Sequence, residues 1–178
     1  MTTYKFTIDK QFNWEMGHRV WAQKLNHAHL SITTDCACKH LHGHSYKLKV
    51  FLGSDTLDGS QMVTDFKNLN FMKKFVDDCL DHKFMIDIHD PHFERITGVS
   101  IIPGTPIENF SNLGTLLPST NEEVQLHRDS FVLVNFVPTS ENICKYLKHY
   151  AENQMAGVAH VCAVELWETE KSHCRYED

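Results

Sequence analysis

The segment Cys36–Tyr46, CACKHLHGHSY, holds the densest group of side chains that can bind a metal ion. In an extended chain, alternate side chains leave on the same face, and residues two apart have Cα atoms about 6–7 Å apart. That separation allows two imidazoles to share one zinc ion. The segment therefore predicts a metal site built on His42 and His44. The same face also carries Cys36, Cys38 and His40.

A third imidazole is predicted at the end of another alternating stretch. Apolar and polar residues alternate over residues 4–18 and again over residues 44–52, as in half-buried strands. If these strands pair as an antiparallel hairpin, the end of one meets the start of the other. His18 then joins His42 and His44 on the inner face. Three histidines with an open fourth position are typical of a catalytic zinc site.

Other interpretations of these residues remain open at this point. A single histidine on an apolar face is most often a hydrogen-bonded core residue, and clustered histidines can simply be exposed. Cys36 and Cys38 could instead be two ligands of a Cys/His zinc knuckle. A second cysteine pair is missing, however, and the net charge is −6. That charge disfavours a protein that binds nucleic acid through its phosphates.

Three further signals could carry chemistry, although each has an ordinary structural explanation. In Asp81–His82, a carboxylate beside an imidazole can fix its tautomer and raise its basicity, but the pair could also be a solvated helix end. Residues 138–141, PTSE, have the pattern of a helix N-cap with an acid in the first turn. Glu168 could accept two hydrogen bonds from the edge of a guanidine-like ring, or it could be a surface acid.

These residues need a scaffold, and the periodicity predicts an α+β fold with a largely antiparallel sheet. Strands are predicted over residues 4–18, 44–52, 131–137 and 158–168, and helices over residues 66–80 and from residue 140 onward. The last strand is apolar on both faces and is therefore expected inside the sheet. Asp65 is a candidate cap for the first helix. Residues 84–130 show no clear period and could form a hairpin or a long ordered loop.

Composition limits the class of protein. The chain has 178 residues, 42% hydrophobic and 22% charged, which is typical of a single globular domain. No apolar run approaches the ~18 residues of a membrane span, and the N-terminal residues contain no apolar signal core. We therefore expect a cytoplasmic protein that contacts neither membrane nor nucleic acid. In that compartment the six cysteines would be reduced thiols.

In combination, these signals resemble the 6-pyruvoyltetrahydropterin synthase / 6-carboxytetrahydropterin synthase family. The matching segments are EMGHR at 15–19, CKHLHGHSY at 38–46, MVTDF at 62–66, LDHK at 80–83, PTSEN at 138–142 and WET at 167–169. They span nearly the whole chain. The Cys-x-x-x-His-x-His spacing is similar to that of the bacterial 6-carboxytetrahydropterin synthase branch, which serves the pathway to queuosine and other 7-deazaguanines.

The resemblance implies a role for each matched residue. Zn²⁺ would be held by His18, His42 and His44. The thiol of Cys38 and the acid/base pair Asp81–His82 would be catalytic. The substrate-binding residues would be Glu168, which accepts from the pterin ring, with Thr139, Ser140 and Glu141 beside it.

The resemblance also implies a reaction and an assembly. The substrate would be 7,8-dihydroneopterin triphosphate, and the products would be 6-carboxy-5,6,7,8-tetrahydropterin, acetaldehyde and triphosphate. The fold would be the tunnelling fold, an antiparallel four-stranded sheet with two helices on one face. Its subunits would oligomerise into a barrel, as a hexamer or another trimer-based assembly, with active sites between subunits. Arg19, Lys39 and Lys83 are candidate cations for the triphosphate.

Alternatives to this function are 6-pyruvoyltetrahydropterin synthase activity, cleavage of a sepiapterin-like pterin, or a zinc-bearing oligomeric module that binds pterin without turnover. The chain also departs from compact family members. An atypical insert at about residues 88–130 matches no family motif. Cys36, His27 and His29 have no assigned role.

Overall fold

The structure, a computed structural model, describes residues 4–31, 36–102 and 104–177. It confirms the α+β class. The strands are β1 (Phe6–His18), β2 (His42–Ser54), β3 (Lys83–Asp87), β4 (Ser111–Asn112), β5 (Phe131–Val134), β6 (His160–Thr169) and β7 (Ser172–Tyr176). The α-helices are α1 (Asn70–Phe75), α2 (Phe93–Thr97), α3 (Leu113–Leu116), α4 (Glu122–Asp129) and α5 (Ser140–Met155).

The described strands form a seven-stranded mixed sheet in the order β4-β5-β3-β1-β2-β6-β7. Strand β3 pairs in parallel with both β1 and β5, whereas β6 pairs antiparallel with β2 and β7. The expectation of a four-stranded antiparallel sheet with two helices was therefore wrong. Parallel strands need a long crossover connection, and the segment between Asp87 and Phe131 supplies it for β3 and β5.

The chain divides into two compact units. The first unit comprises the described parts of residues 1–14, 45–78 and 140–178, and the second comprises residues 15–44 and 79–139. In the first unit, α5 buries one stripe of side chains at helical spacing, including Ile143, Leu147 and Ala151. This stripe packs against β6 and β7. The first unit therefore has a core of its own.

The second unit contains the segment that the sequence left unassigned. In their described part, residues 84–130 hold most of β3, three short helices and the strand β4, rather than a hairpin or an open loop. Their apolar side chains form a core with the neighbouring strands, made of Ile86, Phe93, Leu113, Phe131 and Leu133. Helices of four to eight residues are too short to show a clear apolar period, which explains why the pattern did not reveal them.

The other predicted elements are largely confirmed. The first helical stretch is split into a 3₁₀ turn (Phe66–Leu69), α1 and a π turn (Val76–Leu80). Asp65 caps it, since its carboxylate accepts from the Lys67 backbone N–H at 2.7 Å. Strand β6 lies inside the sheet, between β2 and β7. Strand β7 was not predicted.

Two expectations about the whole chain can be compared with the described residues. None of their helices combines the length and the apolarity that crossing a bilayer requires. All six cysteines are free thiols, as expected.

The packing of α5 predicts that truncating Leu147, which is fully buried, destabilises the protein. We expect Leu147→Ala to lower the free energy of unfolding by about 2–5 kcal/mol, because lost burial and the new cavity both cost stability. Urea denaturation followed by circular dichroism measures the change. The matched control is Lys145→Ala at an exposed position of the same helix, which should change stability by less than about 0.5 kcal/mol. Equal effects of the two substitutions would contradict this packing.

Candidate metal centre

Three histidines meet where β1 ends and β2 begins. His18 is the last residue of β1, His42 is the first of β2, and His44 follows two positions later. The two strands are neighbours in the sheet. Gly43 allows their close approach, since a Cβ at this position would lie 3.2 Å from the Met16 carbonyl oxygen and 3.6 Å from the Gly17 Cα. The expected convergence of the three side chains is therefore confirmed.

The three rings are close enough to share an ion. Their centroids lie 4.5 Å apart for His18 and His42, 5.1 Å for His18 and His44, and 4.9 Å for His42 and His44. One candidate ligand atom from each residue lies within 4.8 Å of the other two. Small rotations of the rings would bring these nitrogens onto one ion.

Backbone carbonyls fix the orientation of two of these rings. The Nδ1–H of His18 donates to the Pro138 carbonyl at 2.7 Å, and the Nδ1–H of His42 donates to the His40 carbonyl at 2.8 Å. A proton on Nδ1 leaves the lone pair on Nε2, as in histidines whose other nitrogen binds a metal. Side-chain patterns could not reveal these two acceptors, because both are backbone groups.

The protonation of two of the three imidazoles also suits a metal site. Burial, against the opposing hydrogen bond to Pro138 and with smaller contributions from the nearby His42 and His44, lowers the pKa of His18 to about 4. Burial, followed by the proximity of His42, also lowers the pKa of His44. Neutral imidazoles are the form that binds metals. The donor set therefore fits a divalent transition metal ion.

Cys38 lies in a turn that is hydrogen-bonded to the residues just after His18. It lies in a 3₁₀ turn, Ala37–Lys39, and is partly buried, as is Cys36 before the turn. The carbonyl of Cys38 accepts from the backbone N–H of Val20 at 2.8 Å. This bond fastens the turn to the second residue after β1, so that Cys38 lies near the candidate metal ligand His18.

Asp81 and His82 form the expected pair, in which the Asp81 carboxylate lies 3.0 Å from His82 Nδ1. The Glu15 backbone N–H donates to Asp81 at 3.1 Å, and the His82 N–H donates to the Glu15 carbonyl at 2.8 Å. The pair is thus tied to Glu15, three residues before His18, or roughly 10 Å along β1. His82 has an 81% exposed side chain. The sequence-predicted pair is formed, but at a different point along β1 from the imidazole cluster.

Glu168 and Glu141 lie in the first unit. The register of β6 against β7 shifts between Trp167 and Thr169, so that Glu168 occupies a β-bulge, a feature that redirects side chains and is frequent beside active sites. Burial chiefly raises the pKa of the Cys174 thiol, and the charges of Glu141 and Glu168 raise it further. The two carboxylates therefore act on one neighbourhood.

Thr139 and Ser140 mark the start of α5. The Thr139 N–H donates to the Val137 carbonyl at 2.7 Å, and Ser140 is the first residue of the helix. In this segment, the carbonyl of Pro138 contacts the imidazole cluster. Sequence reasoning identified the segment but not this contact.

Comparison with known proteins supports the resemblance along the whole chain. The family model described as 6-pyruvoyl tetrahydropterin synthase matches residues 7–178. The protein named 6-carboxy-5,6,7,8-tetrahydropterin synthase in Aquifex aeolicus is 33% identical, with 98% of this chain and 99% of that protein aligned. The protein of the same name in Haemophilus influenzae is 29% identical, with 97% of this chain and 99% of that protein aligned.

Solved structures share the fold. An uncharacterized protein from Wolinella succinogenes superimposes with a TM-score of 0.84 at 35% identity, covering 97% of this chain and 98% of that one. The Caenorhabditis elegans 6-pyruvoyl tetrahydropterin synthase superimposes with a TM-score of 0.58 at 22% identity, covering 100% and 99%. The expectation that the chain is an enzyme of lyase type is confirmed by its curated relatives. With a family model matching almost its full length, the chain belongs to the 6-pyruvoyl tetrahydropterin synthase family.

Proposed function

We propose that this protein is a zinc-dependent carbon–carbon lyase that converts 7,8-dihydroneopterin triphosphate, with the uptake of water, into 6-carboxy-5,6,7,8-tetrahydropterin, acetaldehyde and triphosphate. Its pathway would be the cytoplasmic synthesis of 7-deazaguanines such as queuosine. The observation that carries the proposal is the cluster of three imidazoles. The names of the end-to-end relatives favour the carboxytetrahydropterin product over the pyruvoyl one.

The metal would be held by His18, His42 and His44, with Nε2 as the donor atom of the two rings whose Nδ1–H groups bind carbonyls. A zinc ion held by three imidazoles supplies a Lewis acid for the side-chain oxygens of the substrate. Burial lowers the pKa of His18 and of His44 and so keeps their lone pairs available, while the two carbonyl contacts orient the rings of His18 and His42.

Cys38 is assigned the proton transfer on one side of the substrate's side chain. Its turn is fastened to Val20 and is partly buried, so the thiol is held in place yet remains accessible. Thiols transfer protons near neutral pH when neighbouring positive charge lowers their pKa. Cys36 is the N-cap of the same turn and lies two positions before the residue whose carbonyl accepts from Val20.

Asp81 and His82 are assigned the second proton transfer. The backbone N–H of Glu15 is the main cause of the lowered pKa of Asp81, and the His82 ring lowers it further. Asp81 therefore stays ionised, holds the proton on Nδ1 of His82 and leaves Nε2 to exchange protons with the substrate. Because His82 is exposed and displaced from His18 along β1, we propose that it completes the site of a neighbouring subunit in a hexamer or another trimer-based homo-oligomer.

The pterin ring is assigned to Glu168, with Thr139, Ser140 and Glu141 in supporting positions. A carboxylate can accept from the 2-amino group and the ring N–H together, and such paired, charge-assisted bonds are strong and directional. The β-bulge at Glu168 supports this role, since it sets that side chain apart from the regular ladder.

The metal site is tested by removing single ligands. We expect His42→Ala and His44→Ala to lose bound zinc, because two imidazoles cannot complete the site, while the fold persists because both side chains are only partly buried. Elemental analysis after dialysis measures the zinc content, and circular dichroism checks the fold. His149→Ala, at an exposed histidine of α5 that contacts Glu152, should keep one zinc per chain. Full zinc content in either ligand variant would remove the metal centre from the proposal.

The reaction is tested by identifying the product and by Cys38→Ala. Mass spectrometry of an incubation with 7,8-dihydroneopterin triphosphate should detect 6-carboxytetrahydropterin and acetaldehyde. Loss of the Cys38 thiol should lower kcat by about 10²–10⁴-fold, the usual contribution of a positioned proton donor or acceptor, with zinc retained. Cys36→Ala is the matched control and should remain active. A pyruvoyl product would select the alternative enzyme, and a stable complex without any product would select a binding module.

Glu168→Gln tests recognition of the pterin ring. We expect KM to rise at least about tenfold, because the amide loses the charge and one of its two acceptor oxygens. Steady-state kinetics with the same substrate measures the change, and Glu170→Gln at an exposed neighbouring position is the control. A KM equal to that of the control would assign pterin recognition to another residue.

A further inference from the structure

A pocket in the second unit carries positive charge that the chemistry assigned above does not use. Its volume is about 610 Å³, and its lining includes Arg19, Lys39, His40, His92 and Arg95. Within the described part of the chain, no carboxylate is among the lining residues. The pocket therefore combines space for a ligand with a strongly cationic wall.

Two of these cations are available to a ligand. Among the described residues, neither Lys39 nor Arg95 forms an ion pair, and both side chains are exposed at the pocket. Arg19 differs from them, because it is paired with Asp90 at 2.9 and 3.1 Å. Lys83, another candidate cation, donates its ammonium to the Asp129 carbonyl at 2.8 Å and is not among the lining residues.

The ion pair of Arg19 holds the pocket wall in place. Asp90 has only 1% of its side chain exposed, and it also accepts from the His92 backbone N–H at 2.8 Å. Arg19 in turn donates from Nε to the Lys39 carbonyl at 2.6 Å. One buried carboxylate thus connects the start of the insert, before α2, to the turn that carries Lys39. The two walls of the pocket are fixed relative to each other.

The pocket and the candidate metal centre are connected by a short chain segment, residues 38–42. Lys39 follows Cys38 directly, and both Lys39 and His40 line the pocket. The carbonyl of His40 orients the ring of His42. A substrate with its reacting carbons at the imidazole cluster and Cys38 would therefore find this cationic wall next to them.

We infer that this pocket binds the triphosphate group of the substrate, with Lys39 and Arg95 as the residues that contact its oxygens. The inference rests on the proposed function for the identity of the substrate. Guanidinium and ammonium groups bind phosphate oxygens through charge-assisted hydrogen bonds. Arg95 comes from α2, so the insert supplies part of the substrate site.

The test measures anion binding separately from turnover. Sodium tripolyphosphate is titrated calorimetrically into the zinc-loaded protein, with excess magnesium so that the anion does not extract the metal. Arg95→Gln should weaken binding at least about tenfold, equivalent to ~1.4 kcal/mol, and Lys39→Gln should do the same. Lys145→Gln removes an exposed positive charge from α5 and should bind as the wild type does. Equal affinity of the wild type and Arg95→Gln would overturn the inference.

Kinetics separates this inference from the proposed function. With 7,8-dihydroneopterin triphosphate, Arg95→Gln should raise KM about as much as it weakens tripolyphosphate binding, while kcat changes by less than about threefold. Normal turnover with an unchanged KM in this variant would overturn the subsite and leave the proposed function standing. Arg95-dependent binding of tripolyphosphate without any turnover would support the anion subsite and overturn the proposed function.

Discussion

The hydrogen bond from His18 to the Pro138 carbonyl is the contact on which the candidate site depends. It joins residues 120 positions apart and is buried. A buried imidazole is destabilised when charged, which is why the pKa of His18 falls to about 4. The carbonyl accepts a hydrogen bond from Nδ1–H of the neutral ring and so fixes its tautomer. Burial thus determines the charge of the ring, and one long-range backbone contact determines its tautomer and the direction of its second nitrogen.

Strand geometry supplies the rest of the cluster, and this part of the site could be predicted from sequence. His42 and His44 share a face because strand side chains alternate, and His18 joins them because β1 and β2 are neighbours. Strand alternation gave no position for His82. Its position depends on the parallel register of β3 beside β1, and β3 was hidden in a segment without recognisable periodicity. Local alternation can be read from residue types, whereas the pairing of strands that are distant in sequence cannot.

The contacts that orient the site were unpredictable for a related reason. The carbonyls of Pro138, His40 and Cys38 hold a ring or a turn in place, and every residue type has such a carbonyl. The short helices of the insert escaped detection because one or two turns do not establish a period of 3.6 residues. Nothing in the sequence distinguishes Asp90 from other acidic residues. Only the fold shows that it is buried and paired with Arg19. Residue chemistry is visible in a sequence, but the acceptor that each donor finds depends on the tertiary fold.

The insert also affects whether the net negative charge of the chain excludes an anionic substrate. An overall charge of −6 argues against binding an extended polyanion such as nucleic acid, because that requires many phosphate contacts over a wide surface. A triphosphate is short, and at physiological ionic strength charges more than about 8 Å away are largely screened. Its binding therefore depends on the few charges within that distance. The buried acid Asp90 contacts the pocket wall through Arg19, and this pairing neutralises its charge while leaving Lys39 and Arg95 exposed at the pocket. A protein with a net negative charge can therefore bind an anionic substrate when its fold places exposed positive side chains at the pocket and neutralises the adjacent acid by an ion pair.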